Sequence, residues 1–351
     1  MCGRAAVLTL GCATLLATAC TNPQPDYVNE RFFAMGTWVD LTFLPAEPAG
    51  VDAVLREVED RLRRDERDFY AWAPGELAAL NTAIRNGEPF TASPRLAQFL
   101  RDAQQLAVRS GGTFEPGLGP LVELWGFHSG DSPGRSPPSD DEVSRALRAS
   151  AGISSLHIEQ LEVRGGSRGL SLDLGGIAKG AVVDRTAEIL AAAGIRHALI
   201  NAGGDLRVIG RRRNARDSRP WRIGIRHPRN AGLLGVITLD AGEAAFTSGD
   251  YERFFDHEGE RLHHILDPQT GYPVNHTQAV TVIAADGVTA DAAATALFVA
   301  GPDRWRDVAT ALSIQHVLRV DASGEIELTR QMSDRLQEPG SSPLDIMSAV
   351  P

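Results

Sequence analysis

Asp291 and Thr295 stand four residues apart in Ala290-Asp291-Ala292-Ala293-Ala294-Thr295-Ala296. On a helix that spacing puts both side chains on one face, with only alanines between them. A carboxylate and a hydroxyl are hard oxygen ligands, suited to Mg²⁺ holding phosphates and ill suited to soft metals. The same pair also reads as an Asp in a first helical turn, favoured by the dipole, with a Thr bonded back to its own helix.

Lys179 is the only lysine among the 35 Lys and Arg residues, and it closes Asp173-Leu174-Gly175-Gly176-Ile177-Ala178-Lys179-Gly180. A strand end, a glycine pair and a helix start let backbone N–H groups approach a phosphate, and lysine adds a compact charge. The segment is neither a P-loop nor a dinucleotide fingerprint, and a glycine-rich turn with a surface lysine is the alternative. In His263-His264-Ile265-Leu266-Asp267-Pro268-Gln269-Thr270-Gly271 a strand ends at Leu266 and the chain turns. There His264 could take a proton from an attacking hydroxyl, or be a half-buried histidine bonded to backbone. Two further glycine turns, Asn201-Ala202-Gly203-Gly204-Asp205 and Thr247-Ser248-Gly249-Asp250-Tyr251, read by themselves as tight loops. In the first, Asn and Asp satisfy their own backbone. The second lacks the frame of a nucleophile elbow. No H-E-x-x-H motif occurs, which argues against zinc.

Hairpins and scattered helices must position these groups. Residues 31–43 alternate as strands around Met35-Gly36-Thr37, and Val51, Val54, Leu55, Val58 and Leu62 share a helical face. Ser93-Pro94 opens a helix that stops near Gly111-Gly112, and a glycine- and proline-punctuated loop runs on to Phe127. Ser139 and Glu142 form a capping box for a helix ending at Gly152. Helices are expected over roughly 177–193 and 289–311. Strand pairs are expected over 161–174 across Gly165-Gly166, 252–266 across Glu258-Gly259 and 315–328 across Ser323-Gly324. The pattern predicts an α+β fold of mixed, largely antiparallel sheets with packed helices, forming one catalytic unit with room for a smaller lobe.

Composition narrows the class. The 351 residues are 43% hydrophobic and 23% charged, as in soluble globular proteins, with a formal net charge of −10. Arg211, Arg212, Arg213 and Arg216 make the one dense basic run, among loop residues, so no nucleic-acid partner is expected. The apolar stretch 5–19 follows Arg4 and suits a signal peptide, and Ala17-Thr18-Ala19-Cys20 resembles a lipoprotein cleavage box. Cys2 and Cys12 would leave with the signal, so Cys20 has lipidation as its natural role. The expected organisation is a signal at 1–19, a tether at 20–29, a catalytic domain at 30–335 and a tail at 336–351, the whole exported and lipid-anchored in a bacterial envelope.

Together these segments resemble the ApbE-type FAD:protein FMN transferases over about residues 31–330. The landmarks are Met35-Gly36-Thr37; Ser110-Gly111-Gly112-Thr113-Phe114-Glu115-Pro116 running into Gly119-Pro120-Leu121 and Leu124-Trp125-Gly126-Phe127; DLGGIAKG at 173–180; NAGGD at 201–205; TSGDYER at 247–253; HHILDPQTG at 263–271; and ADAAATA at 290–296. The resemblance implies that Met35, Trp72, Thr113, Phe114 and Glu115 contact FAD. Trp72 stands where the family often has Tyr, and Glu115 replaces the usual Asp. It also implies that Asp173, Lys179 and Ile265 hold the nucleotide, that Asp291, Thr295 and the Gly176 carbonyl bind Mg²⁺, and that His264 is the proton acceptor. The implied reaction moves FMN from FAD to a threonine or serine hydroxyl of a partner protein, with release of AMP. Family acceptors include subunits of membrane redox pumps and exported flavoproteins. A metal-dependent FAD pyrophosphatase and a non-catalytic FAD-binding lipoprotein are the competing readings.

Overall fold

The computed structural model of the protein describes residues 27–47, 50–129, 136–213, 217–338 and, by backbone, 347–348. The expected signal segment, Cys20 and most of the tether lie outside the described residues, as does Arg216. In chain order, β1 (Val28–Ala34) and β2 (Thr37–Phe43) form a hairpin. Helices α1 (Val51–Phe69) and α2 (Glu76–Asn86), strand β3 (Phe90–Thr91), and helices α3 (Pro94–Arg109), α4 (Gly119–Trp125) and α5 (Asp140–Ala149) follow. Hairpin β4 (Leu156–Glu159) and β5 (Glu162–Gly165) leads into α6 (Ala178–Ala192). Next come β6 (Ala198–Ala202), β7 (Asp205–Ile209), β8 (Arg212–Arg213), β9 (Ser218–Arg219), β10 (Trp221–Arg226), β11 (Leu233–Leu239) and β12 (Ala244–Gly249). The frame ends with β13 (Phe254–His257), β14 (Glu260–His263), β15 (Thr277–Ala284), α7 (Gly287–Leu312), β16 (His316–Asp321), β17 (Ile326–Leu328) and α8 (Arg330–Arg335).

Eight strands form one sheet in the order β1-β2-β6-β7-β12-β15-β16-β17, with neighbouring strands antiparallel throughout. The alternation of β2 explains its place: Val39, Leu41 and Phe43 are buried while Trp38 faces water. One sheet face meets α1, α3, α6 and α7 across the main core. The other is covered by β10 and β11, whose Trp221, Ile223, Ile225, Ile237 and Leu239 pack on Leu199, Leu206 and Val208. A small third cluster joins Trp125 and Phe127 to Val143 and Leu266. The fold is α+β, as the mixture of hairpins and helices predicts.

Differences from expectation have local causes. The hairpin expected across Gly165-Gly166 turns instead at Gln160, φ +53°, between β4 and β5. Gly165 and Gly166 serve close packing: side chains there would press on Ile84 and the Ser155 carbonyl. Helix α5 stops at Ala149, short of Gly152, where a Cβ would press on the Glu115 carboxylate. The stretch expected as loop up to Phe127 contains α4, capped by Gly126 at φ +71° and held by Trp125 Nε1–H donating to the Gly271 carbonyl at 2.8 Å. Strand β1 begins at Val28, inside the expected tether, and Gln337 of the expected tail pairs with Val236. Part of the arginine run is a two-residue strand, and Arg211 meets Asp240 at 3.2 Å.

The crossing of α6 and α7 sets the site. Gly180 and Gly287 touch backbone to backbone: a Cβ on Gly180 would overlap the Gly287 carbonyl. Four alanines near the start of α7, at 290 and 292–294, keep that helix slim and buried. Gly180→Ala should therefore destabilise the protein by about 1–3 kcal/mol through overpacking, read as a lowered denaturant midpoint with an unchanged slope.

Candidate functional site

The turn before α6 is built from its own polar groups. Asp173 Oδ1 accepts the Gly175 N–H at 2.8 Å, and Asp173 Oδ2 accepts the Trp72 indole N–H at 2.7 Å. Two residues 101 positions apart are thereby brought together, and the Trp72 ring lies 4.6 Å from that of His128. Gly176 stands where a Cβ would come 3.3 Å from Thr295 Oγ1 and 3.6 Å from the Phe114 ring. A larger residue would push apart the two segments that meet there.

Asp291 is buried in the second turn of α7, not the first, and its Oδ2 accepts the Gly180 N–H at 2.9 Å. Thr295 Oγ1 lies 3.2 Å from Ser248 Oγ on β12 instead of bonding back to its helix. Burial pushes the Asp291 carboxyl above the ordinary range, nearby Lys179 pulls it back, and Asp205 raises it again. Among the described residues, no group of three or more His, Cys, Asp or Glu side chains stands close enough to hold a metal ion. The donors present are one carboxylate and one hydroxyl beside Gly176, a hard-oxygen set that fits Mg²⁺ if phosphate, carbonyl or water oxygens complete the shell.

Lys179 forms an ion pair with Asp205. Burial alone would lower its pKa, but Asp205, Asp291 and Glu252 together raise it, so its ammonium stays charged. Asp205 also accepts the Thr247 N–H at 3.0 Å. In the expected self-contained turn, Asn201 does bond the Gly204 N–H at 2.8 Å, whereas Asp205 reaches outward to the lysine. A cleft opens beside this pair, lined by Gly203, Gly204, Ile225 and Tyr251 among others.

His264 is half-buried after β14. Its Nδ1 lies 3.3 Å from the Arg253 carbonyl, which also accepts its backbone N–H at 3.1 Å. A carbonyl only accepts, so Nδ1 carries the proton of the neutral ring and Nε2 keeps its lone pair. Burial drives the His264 pKa well below 6.5, helped by positive charge on Arg253, His263 and Lys179. Arg253 links this strand to the turn before α6, its guanidinium 4.0 Å from where a Gly175 Cβ would lie. Ile265 is buried, and its carbonyl accepts the Val274 N–H at 3.1 Å.

The remaining sequence-derived residues lie in the flanking segments. Met35 and Gly36 turn the β1–β2 hairpin at φ +56° and +71°. Thr113 and Phe114 are buried, with Thr113 Oγ1–H donating to the Ser110 carbonyl at 3.0 Å. Glu115 Oε1 accepts the N–H groups of Gly117 and Ile153, each at 2.7 Å, and burial raises its pKa. The longer side chain thus braces a neighbouring loop. Ser248 and Arg253 carry no expected role and Asp205 only that of bonding its own turn, although each lies in a noted motif; spacing carried no sign of their partners.

This frame, with a lysine, a carboxylate and a hydroxyl converging where two helices cross, defines the class: an α+β protein with a hard-oxygen and ammonium cluster. The chain matches the ApbE family over residues 35–318. It belongs to that family. It is 41% identical over 317 residues to a Rhodobacter capsulatus protein named FAD:protein FMN transferase, covering 90% of this chain and 60% of that relative's length. A Vibrio cholerae protein of the same name is 36% identical over 313 residues, with 86% and 89% covered. Among solved structures, the Thermotoga maritima ApbE protein superposes with a TM-score of 0.80 at 33% identity, covering 89% of this chain and all of that one. The flavin transferase ApbE from Vibrio cholerae gives 0.78 at 29% identity, with 90% and 100% covered.

Asp291→Ala tests the cluster without relying on turnover. It leaves the buried Gly180 N–H unpaired and should cost about 1–3 kcal/mol. Any rise of Tm on adding Mg²⁺ with FAD should vanish with it; a Mg²⁺ response equal to that of the unmodified protein would remove Asp291 as a ligand.

Proposed function

We propose that this chain is an FAD:protein FMN transferase that moves the FMN phosphoryl group of FAD, with Mg²⁺, onto a threonine or serine hydroxyl of an exported or membrane flavoprotein. Subunits of membrane redox pumps are the acceptors the family resemblance suggests. The observation that carries the reading is the convergence of Lys179, Gly176, Asp291 and Thr295 at one helix crossing, with the free Nε2 of His264 as the nearby base.

The reaction breaks the bond between the FMN phosphorus and the bridging oxygen of the pyrophosphate, and forms one from that phosphorus to the acceptor oxygen. AMP leaves with the bridging oxygen. Asp291, Thr295 and the Gly176 carbonyl would hold Mg²⁺, which would supply Lewis-acid neutralisation of phosphate charge. Lys179 adds a fixed positive charge, held in place by Asp205. His264 Nε2 takes the acceptor hydroxyl proton while Nδ1 stays anchored to the Arg253 carbonyl. Trp72, Phe114 and Asp173 form the wall against which the flavin half is placed, with the Trp72–Asp173 bond fixing its shape. Were water to replace the hydroxyl, the same site would act as a pyrophosphatase, so covalent flavin on a protein is the deciding product.

The pH dependence follows from the histidine. Because its folded-state pKa lies well below 6.5, His264 is neutral at and above that pH, and protonation removes the base only in more acid solution. The acid limb of the transfer rate should thus fall below pH 6.5. His264→Ala should abolish that limb and slow transfer by roughly 10²–10⁴-fold while FAD still binds. Lost FAD affinity with an undiminished rate at saturation would reassign the residue to binding.

We also infer an envelope location, with lipid on Cys20 following the apolar segment 5–19. Cys20→Ser should release the protein from the membrane fraction or block its maturation, because stable anchoring needs the acyl chains. Normal processing and fractionation would sink that assignment.

A further inference from the structure

The outward face of the β1–β2 hairpin is a ladder of three cross-strand pairs: Asn29 with Thr42, Arg31 with Asp40 and Phe33 with Trp38. The polar members satisfy one another. Thr42 Oγ1 donates to Asn29 Oδ1 at 2.8 Å, and Arg31 is paired with Asp40 while its guanidinium lies 5.5 Å from the Trp38 ring. Phe33 and Trp38 remain 62% and 48% exposed, edge to face with centroids 5.2 Å apart. The other large exposed apolar residues among those described, Tyr70, Val108, Leu161 and Ile326, are scattered over α3, β17, the end of α1 and the β4–β5 turn.

Position gives this pair meaning. Beyond β2 the same sheet face is covered by β10 and β11, so the hairpin projects past the cover. It is also continuous with the site. The Trp38 carbonyl accepts the Gly203 N–H at 3.0 Å, Thr37 presses on Gly203, and Gly203, Gly204 and Asp205 line the cleft beside Lys179. A stable protein contact covers far more surface than the mouth of one cleft, so recognition of a protein needs surface outside it.

We propose that the acceptor protein docks on this face, an extended segment laying an apolar side chain over Phe33 and Trp38 before its hydroxyl enters the cleft. The inference rests on the transferase reading above. Exposed aromatic pairs are the residue type that dominates protein interfaces, and these two present apolar surface beside an ion pair and a side-chain hydrogen bond. Charge favours a protein over a lipid surface: the ladder's only cation, Arg31, is neutralised by Asp40, whereas attraction to anionic lipid needs free basic residues.

The test uses the full chain with FAD, Mg²⁺ and a purified protein that the unmodified enzyme labels with covalent flavin. Phe33→Ser and Trp38→Ser should each raise KM for that protein roughly tenfold or more. FAD affinity, the unfolding midpoint and the rate at saturating acceptor should be unchanged, and Trp38→Phe should restore most of the KM. A benzophenone side chain placed at position 33 should cross-link to the acceptor, which keeps the test alive if a serine variant folds poorly. Unaltered KM in both serine variants, or absence of the cross-link, overturns the proposal. So does loss of sedimentation with phosphatidylethanolamine–phosphatidylglycerol vesicles at unaltered KM, which would mark a lipid contact. If the unmodified enzyme labels no protein at all, the transferase reading itself has failed, a result distinct from any variant effect.

Discussion

Two glycines in contact govern the arrangement of the site. Gly180 on α6 and Gly287 on α7 let the helix backbones meet where any side chain would hold them apart. The approach lets the Gly180 N–H reach the Asp291 carboxylate. From there the consequences spread: Lys179 precedes Gly180 in the first turn of α6, so the ammonium is delivered to the same junction, and Thr295 follows Asp291 by one helical turn toward Gly176 and Ser248. A lysine in the first turn opposes the helix dipole. Asp205 and Asp291 offset that cost and leave a compact region where positive and negative charge alternate over short distances.

The surrounding groups divide the labour by burial. Asp291, buried and near a second acid, gains from a cation. His264, half-buried and near positive charge, is kept neutral. Lys179, flanked by acids, is kept charged. These states suit the phosphoryl transfer proposed above, and they arise in one small volume because opposite charges are interleaved. The eight-stranded sheet is the rigid support, bringing β2, β6, β7 and β12 into register so that their ends converge beside α6.

Much of the local structure was legible from residue order. The Ser93-Pro94 helix start is realised, with Ser93 Oγ accepting the Leu96 N–H at 3.2 Å. The turns at Glu258-Gly259 and Ser323-Gly324 join the expected strand pairs. Glycine chemistry misled where it served packing: Gly165, Gly166 and Gly152 sit against carbonyl or side-chain atoms, a requirement that looks identical to a turn signal in sequence. Helix α4 was hidden because its seven residues begin Gly119-Pro120, follow Pro116 and Gly117 and end at Gly126, while its packing against Gly271 and Val143 leaves no mark on the local sequence.

The sequence by itself determined the α+β class, the family resemblance and most of the chemically capable residues, because helix caps, strand alternation and the i, i+4 spacing of Asp291 and Thr295 are local properties. Only the tertiary structure decided their partners. It joined Trp72 to Asp173, Lys179 to Asp205 and Thr295 to Ser248, and it turned Glu115 toward the Gly117 and Ile153 amides. Such pairings depend on strand order and helix crossing across tens to a hundred residues, and no period in the chain encodes which distant side chain will fill the space opposite.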